Sequence, residues 1–163
     1  MKSKLVNLVL AILIISCKLY SQEKPNSIYF EALGNGGLYS VNYDRMFTET
    51  IGGRIGFSYI PEIDFIFSSI NDLMVIPVML NYFIGSVNHK LELGAGIAYV
   101  SFTSGDFLGF ESSSGSSGVT GTATIGYRYQ PANGGFLFRI GFTPMFNDEG
   151  FQPFAGVSLG FGF

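Results

Sequence analysis

The sequence predicts an all-β chain: an eight-stranded antiparallel up-and-down transmembrane β-barrel, preceded by a cleavable signal peptide. Three observations carry this. The 163 residues are 47% hydrophobic but only 13% charged, with 22 Gly, 17 Phe and 9 Tyr, and no Trp. That is too apolar for an ordinary water-facing surface, and Gly with aromatics rather than Leu with Ala is the composition of strands. Apolar and small or polar residues alternate over long segments, and short and long connections between those segments fall on opposite sides in strict rotation.

The first element is the leader. Lys2 and Lys4 precede an apolar run, Leu5-Val6 and Leu8 to Ile15, that ends in Ser16-Cys17-Lys18-Leu19-Tyr20-Ser21-Gln22. A basic start, a short apolar stretch and a polar exit make a secretory signal peptide, and the run falls short of the roughly 20 residues a spanning helix requires. Residues 1–22 are therefore assigned to the signal peptide and 23–163 to the barrel. Cys17 leaves two readings. It lies inside the discarded peptide, or Ile14-Ile15-Ser16-Cys17, which resembles a bacterial lipobox, makes it a lipidation site. A single Cys excludes an internal disulfide. Removing Lys2, Lys4 and Lys18 leaves six basic against twelve acidic residues, a net charge of −6, which argues against nucleic acid as a partner.

Beyond the leader, Val119-Thr120-Gly121-Thr122-Ala123-Thr124-Ile125-Gly126-Tyr127-Arg128-Tyr129 sets apolar or aromatic odd positions against Thr, Gly and Arg at even ones. Eleven residues of such alternation suit a tilted strand crossing a bilayer. Phe151 to Phe163 and Leu91 to Tyr99 repeat the pattern. Turn residues between such segments predict strands over Ser27–Gly34, Leu38–Phe47, Ile51–Ile60, Asp72–Phe83, Lys90–Phe102, Gly118–Gln130, Phe136–Phe146 and Phe151–Phe163. The connections at 48–50, 85–89 and 131–135 are short and share one side. Those at 61–71 and 103–117 are long and share the other, together with 35–37 and 147–150. Even strand number with short turns on one side and long loops on the other is the pattern of membrane barrels, and closure removes the open edges such apolar strands would present.

On these residues the chain resembles the small eight-stranded outer-membrane β-barrel proteins of Gram-negative bacteria, the outer membrane protein beta-barrel domain family. Phe163 at the end, with Phe161 two before it, looks like the C-terminal signal read by the barrel-assembly machinery. The stretch from Ile28 to Arg45 looks like the first hairpin of such proteins. The resemblance implies a bacterial outer-membrane location with both termini periplasmic, contact with outer-membrane lipid and with the assembly machinery, and a monomer. It implies no catalytic motif and no cofactor.

The more polar face of each strand, taken as the lumen, gathers Glu31, Asp44, Arg54, Glu92, Arg128 and Arg139. Asp44 and Arg54 fall on neighbouring strands, as do Glu92 and Arg128. A gate or ion path is one reading; a neutral network of charges that satisfy each other because they cannot reach lipid accounts for the pattern by itself. Gly94, Gly96, Gly126, Gly141, Gly156, Gly160 and Gly162 are assigned inward, making room for large side chains. Pro77 also points inward and is expected to mark a bulge. Tyr59, Tyr82, Tyr99, Tyr127, Tyr129, Phe136, Phe161 and Phe163 fall outward near strand ends, as an interfacial girdle.

The single His, His89, is expected as a solvated residue of a short turn, on the side away from external lipid, so no Ser–His–acid arrangement can be assembled. One His and no Cys after the leader leave only scattered carboxylates for a metal. The expected function is a non-enzymatic barrel with an envelope-structural or surface-interaction role through acidic and Ser/Gly-rich outer loops. Two alternatives stand beside it: an outer-membrane lipid-modifying enzyme, and a lipid-anchored lipocalin-like periplasmic ligand-binding barrel. The apolar outward face disfavours the second.

Overall fold

The computed structural model describes residues 26–61, 63–65, 68–70, 72–103, 105–107, 110–112, 116–147 and 150–163. The expected signal peptide, Cys17 included, lies outside them. Eight antiparallel strands follow in order: β1 (Asn26–Leu33), β2 (Tyr39–Met46), β3 (Ile51–Ile60), β4 (Leu73–Gly85), β5 (His89–Phe102), β6 (Ser116–Tyr129), β7 (Gly135–Phe142, resuming at Met145–Asn147) and β8 (Gly150–Gln152, resuming at Ala155–Gly162). Each pairs with its sequence neighbours, and β8 pairs back onto β1, with Phe30 opposite Leu159, so the sheet closes. Two short ribbons, Ile63–Phe65 with Ser68–Ile70 and Gly105–Phe107 with Phe110–Ser112, stand in the two long connections.

Directly opposed residues followed once round the barrel run from Gly162 through Ser27, Asp44, Arg54, Met79, Gly96, Thr122 and Met145 to Gln152, ten residues from the start on the same strand. With strands about 4.8 Å apart and a rise of about 3.3 Å per residue, a shear of ten tilts eight strands by about 40° and makes a barrel about 16 Å across. An interior of that width holds side chains, not a channel.

The alternation read from the sequence is the inside–outside alternation of the wall. In β3 and β8, successive residues switch between buried and exposed, and the exterior carries Phe30, Ile55, Leu80, Ile97, Val119 and Leu159, each at least half exposed. Among the girdle residues, Tyr59, Tyr82, Tyr99, Tyr127, Phe136, Phe161 and Phe163 are exposed on this face, and Tyr129 is half-covered by the His89 ring 5.2 Å away. All seven inward glycines fall on the inner face.

Three details depart from the sequence expectation. First, β7 and β8 are each interrupted, although both were expected to be continuous. The register is the same on either side of the break, and it sets Pro144 opposite Pro153. Thr143 N–H still bonds the Phe154 carbonyl across β7–β8, while the Pro144 edge faces β6, where its carbonyl accepts from Ala123 but it has no N–H to return; the pairing lapses there without a shift. Secondly, Pro77 makes no bulge. It points inward, paired with Ala98 on β5, and the β3–β4 register is identical before and after it. The proline's missing donor leaves a gap in one ladder only.

Thirdly, the connection after β1 folds into the barrel instead of outward. Leu33 has φ 59° and ψ −159°, a conformation otherwise almost confined to glycine. It swings the chain into a single 3-10 turn, Gly34–Gly36, whose residues are all buried, and Leu33 and Leu38 close the turn with a 2.7 Å backbone hydrogen bond. Beside this turn, Leu38 and Tyr39 pack on Ile60, Leu73, Val75, Ala98 and Val100, an apolar cluster that fills the lumen at the long-loop end.

Closure and register predict that a Phe30→Cys/Leu159→Cys pair crosslinks rapidly under mild oxidation in the folded barrel. Phe30→Cys with Val157→Cys, two residues out of register, crosslinks at least several-fold more slowly, as read from the migration of the crosslinked band on a gel.

Candidate functional site

The six charged residues assigned to the lumen all lie there, each at most 4% exposed. Strand parity places them: each is an inward position on its strand, and an apolar exterior leaves a charged side chain no other face. They arrive from β1 (Glu31), β2 (Asp44), β3 (Arg54), β5 (Glu92), β6 (Arg128) and β7 (Arg139) and meet as one network.

Arg139 is its most heavily bonded member. Its Nε and Nη2 donate to Glu92 Oε2 and Oε1, both at 2.8 Å, and its Nη1 donates to Glu31 Oε1 at 3.2 Å and Ser158 Oγ at 3.1 Å. Arg128 Nη1 donates across the lumen to Asp44 Oδ2 at 2.9 Å, Nη2 to Ser27 Oγ at 3.1 Å and Nε to Gln130 Oε1 at 2.8 Å. Arg54 lies 3.6 Å from Glu31 Oε1 and donates to the Asn35 side-chain oxygen. The fork geometry of guanidinium and carboxylate makes such two-point contacts strong. Two lumen aromatics complete the set: the guanidinium of Arg139 sits 4.9 Å from the Tyr29 ring centre, and that of Arg128 sits 4.9 Å from Phe83.

Strand adjacency and ion pairing are different things here. Asp44 and Arg54 are directly opposed on β2 and β3, as the sequence indicated, yet Asp44 bonds Arg128 and Arg54 turns to Glu31. Glu92 stays 3.8 Å from Arg128, and its two-point partner is Arg139, two strands away. The intervening residue explains the reach: Gly126 on β6 stands opposite both Glu92 and Gly141, so no side chain blocks the line from β7 to β5. Arg128 and Arg139, also directly opposed, hydrogen-bond different carboxylates, Asp44 and Glu92, and both lie within 4 Å of Glu92 Oε2.

Residue-by-residue inspection of the sequence did not single out Asn35, Tyr29 or Phe83. Asn35 is fully buried on the inturned loop. Its Nδ2 donates to Thr122 Oγ1 at 2.5 Å and to the Ala123 carbonyl at 3.0 Å, while its Oδ1 accepts from Thr124 Oγ1 at 3.1 Å and from Arg54. Its only sequence signal is an amide set among glycines, Gly34-Asn35-Gly36-Gly37. Tyr29 and Phe83 were legible by parity alone.

The arrangement is chemically balanced: three guanidiniums face three carboxylates. The cavity bordered by Glu31, Glu92 and Arg139 measures about 10 Å3, the space of a water molecule. Among the described residues no three His, Cys, Asp or Glu side chains gather in a way that could hold a metal. His89 begins β5 at the short-turn end. It is exposed, as expected, and is held by a 2.6 Å hydrogen bond between its Nδ1 and the Tyr127 hydroxyl.

No protein-family model matches the sequence, and no curated protein matches it. Solved structures do. The N-terminal β-barrel domain of Pseudomonas aeruginosa OprF is 18% identical, with a TM-score of 0.60 over 85% of this chain and 98% of that one. The Yersinia pestis outer membrane protein Ail in a phospholipid bilayer nanodisc is 13% identical, with a TM-score of 0.52 over 86% and 100%. Ail in complex with the heparin analogue sucrose octasulfate gives 13% and 0.50 over 85% and 97%. The chain thus has the closed eight-stranded fold of small outer-membrane barrels along nearly its whole described length.

Removing Arg139 takes the hydrogen-bonded guanidinium from Glu92 and one of two guanidiniums from Glu31, and breaking a buried pair from one side typically costs about 3–5 kcal/mol. Arg139→Ala is expected to lose stability on that scale in urea titrations of the refolded barrel. Adding Glu92→Gln to it recovers part of the loss, because one unpaired charge goes with it.

Proposed function

We propose that this chain is a non-enzymatic integral protein of the bacterial outer membrane, both termini periplasmic, with a sealed lumen and an envelope-structural or surface-interaction role exercised at its external end. The observation that carries this is the pairing of an apolar exterior with an interior that is filled and charge-neutral. Lipid is the medium such an exterior fits, and an interior of this kind offers solutes no continuous path. With the lumen closed, the external connections are the part of the molecule free to meet other molecules.

Their charge is one-sided. The connections between β3 and β4, β5 and β6, and β7 and β8 contain Glu62, Asp64, Asp72, Asp106, Glu111, Asp148 and Glu149, and no Lys or Arg. Ail binds a polyanion in one of its structures. An external end with seven carboxylates and no base is of the wrong sign for such a ligand, so the partner proposed for this chain is cationic or uncharged. Phe161 and Phe163 are proposed as the residues the barrel-assembly machinery reads during insertion; both are exposed on the outward face of β8. A monomer is proposed, with outer-membrane lipid as its surroundings.

The two alternatives have less support. A lipid-modifying enzyme would want its base at the external end, and His89 sits at the other, bonded to Tyr127. A soluble lipocalin-like barrel would carry a polar exterior, where this one presents Phe30, Leu80 and Leu159.

The mature protein is expected in the outer-membrane fraction, with gel migration that shifts on heating. In intact cells, a membrane-impermeant maleimide is expected to label Ser114→Cys and leave Ser86→Cys unlabelled until the envelope is opened. A protein that is soluble without detergent, or the reverse labelling pattern, overturns the reading.

A further inference from the structure

The inner wall has a notch that the ion-pair network does not account for. Gly126, Gly141 and Gly156 are directly opposed on β6, β7 and β8 and form one glycine row at a single level of the barrel. On the short-turn side of this row stands a second, Arg128, Arg139, Ser158 and Glu31. On the long-loop side stand Thr124 and Thr143. The cavity of about 10 Å3 lies between these levels, and its lining includes all three glycines together with Glu31, Glu92, Arg139, Thr124, Thr143 and Ser158.

Thr143, one of the residues lining this cavity, is 1% exposed, and its Oγ1 has no hydrogen-bond partner among the described residues. A buried hydroxyl without a partner costs about 1–3 kcal/mol, so native interiors rarely leave one unmet. The volume admits one water molecule, and a buried water takes two to four polar partners, which this lining supplies. The carboxylates have lone pairs beyond those taken by Arg139.

We propose that this notch is a built site for one structural water molecule, held by Thr143 Oγ1 and the Glu31 and Glu92 carboxylates. The occupant is water and not a monovalent cation because the Arg139 guanidinium borders the same space. The glycine row lets the backbones come close together at this level: a Cβ at Gly126 would stand 2.5 Å from the Ile140 carbonyl oxygen, one at Gly141 3.0 Å from that of Ile125, and one at Gly156 3.0 Å from the Gly34 Cα and 3.2 Å from Glu31 Oε1.

The test is water-to-amide magnetisation transfer by NMR on the mature barrel in lipid nanodiscs, recorded in sodium and again in choline buffer. The wild type is expected to show a long-lived water at the Gly141 and Thr143 amides, with signals of opposite sign in NOE and ROE experiments and equal in both buffers. Thr143→Val is expected to lose them and Thr143→Ser to keep them. Absence of the signal in the wild type overturns the proposal, as does its survival in a folded Thr143→Val barrel. A response to replacing sodium overturns it in favour of a cation. If Thr143→Val does not fold, the wild-type and Thr143→Ser spectra decide.

Discussion

The structure depends on one constraint: in a closed antiparallel barrel, a residue and its opposite number on the next strand must share a face all the way round. The walk from Gly162 that returns to β8 at Gln152 moves ten residues, an even number, so inner positions meet inner positions at the seam. A slip of one residue at any pairing would turn a whole strand inside out. With an apolar exterior, that parity turns the charges away from the strand ends into the lumen. Charges enclosed there cannot be solvated, so they must balance. Three Arg and three carboxylates in mutual reach are therefore a consequence of the topology before they are anything else.

Within that limit the lumen is divided along its axis. The ion pairs occupy the part nearer the short turns, and the cluster around Ile60, Leu73 and Val100 closes the long-loop end of one wall. The inturned loop joins the two regions. Leu33 is held in a costly backbone conformation, and Asn35, bonded to Thr122, Thr124, Ala123 and Arg54, supplies the contacts that hold it. The facing prolines on β7 and β8 act differently: they relax the ladder where the Ala123 amide still reaches the Pro144 carbonyl at 3.1 Å. The wall keeps its register there with fewer hydrogen bonds.

Strand number, strand limits and the inward set were legible in the sequence because each is a local property. Alternation with period two marks the face, and turn residues mark the ends. Ile51–Ile60 is the same ten residues in both readings, and the six charges assigned to the inner face are all buried. Choice of partner is not local. Glu92 and Arg128 are near each other on paired strands, but Arg139 reaches Glu92 because Gly126 leaves the way clear, and that follows only from the register of three strands at once. Asn35 escaped for a related reason. A short polar connection reads as solvent-exposed, and nothing within Gly-Asn-Gly-Gly announces that the barrel interior lacks a hydrogen-bonding group just there. Pro77 is the converse case. A proline in a strand suggested a bulge, but its N–H would have faced only one neighbour, and the other ladder carries the pairing through.

The same partition explains where the net charge of the chain resides. Residues 23–163 carry a net charge of −6, and the lumen contributes nothing to it. Lys24, Arg45 and Lys90 outnumber Glu23 and Glu49 by one among the charges outside the lumen and the long connections, so the seven acidic residues of those connections hold more than the whole excess. A neutral, closed interior screens none of this from the outside and adds no compensating field through the wall. The molecule is thus a dipole set along the barrel axis, negative at its long-loop end. Such a field acts over about one Debye length, roughly 8 Å at physiological salt, so it governs what approaches those loops and not what lies within the barrel. The charged long connections and the interior that keeps the barrel folded are electrostatically independent, and substitutions in the former can change the outer field without disturbing the latter.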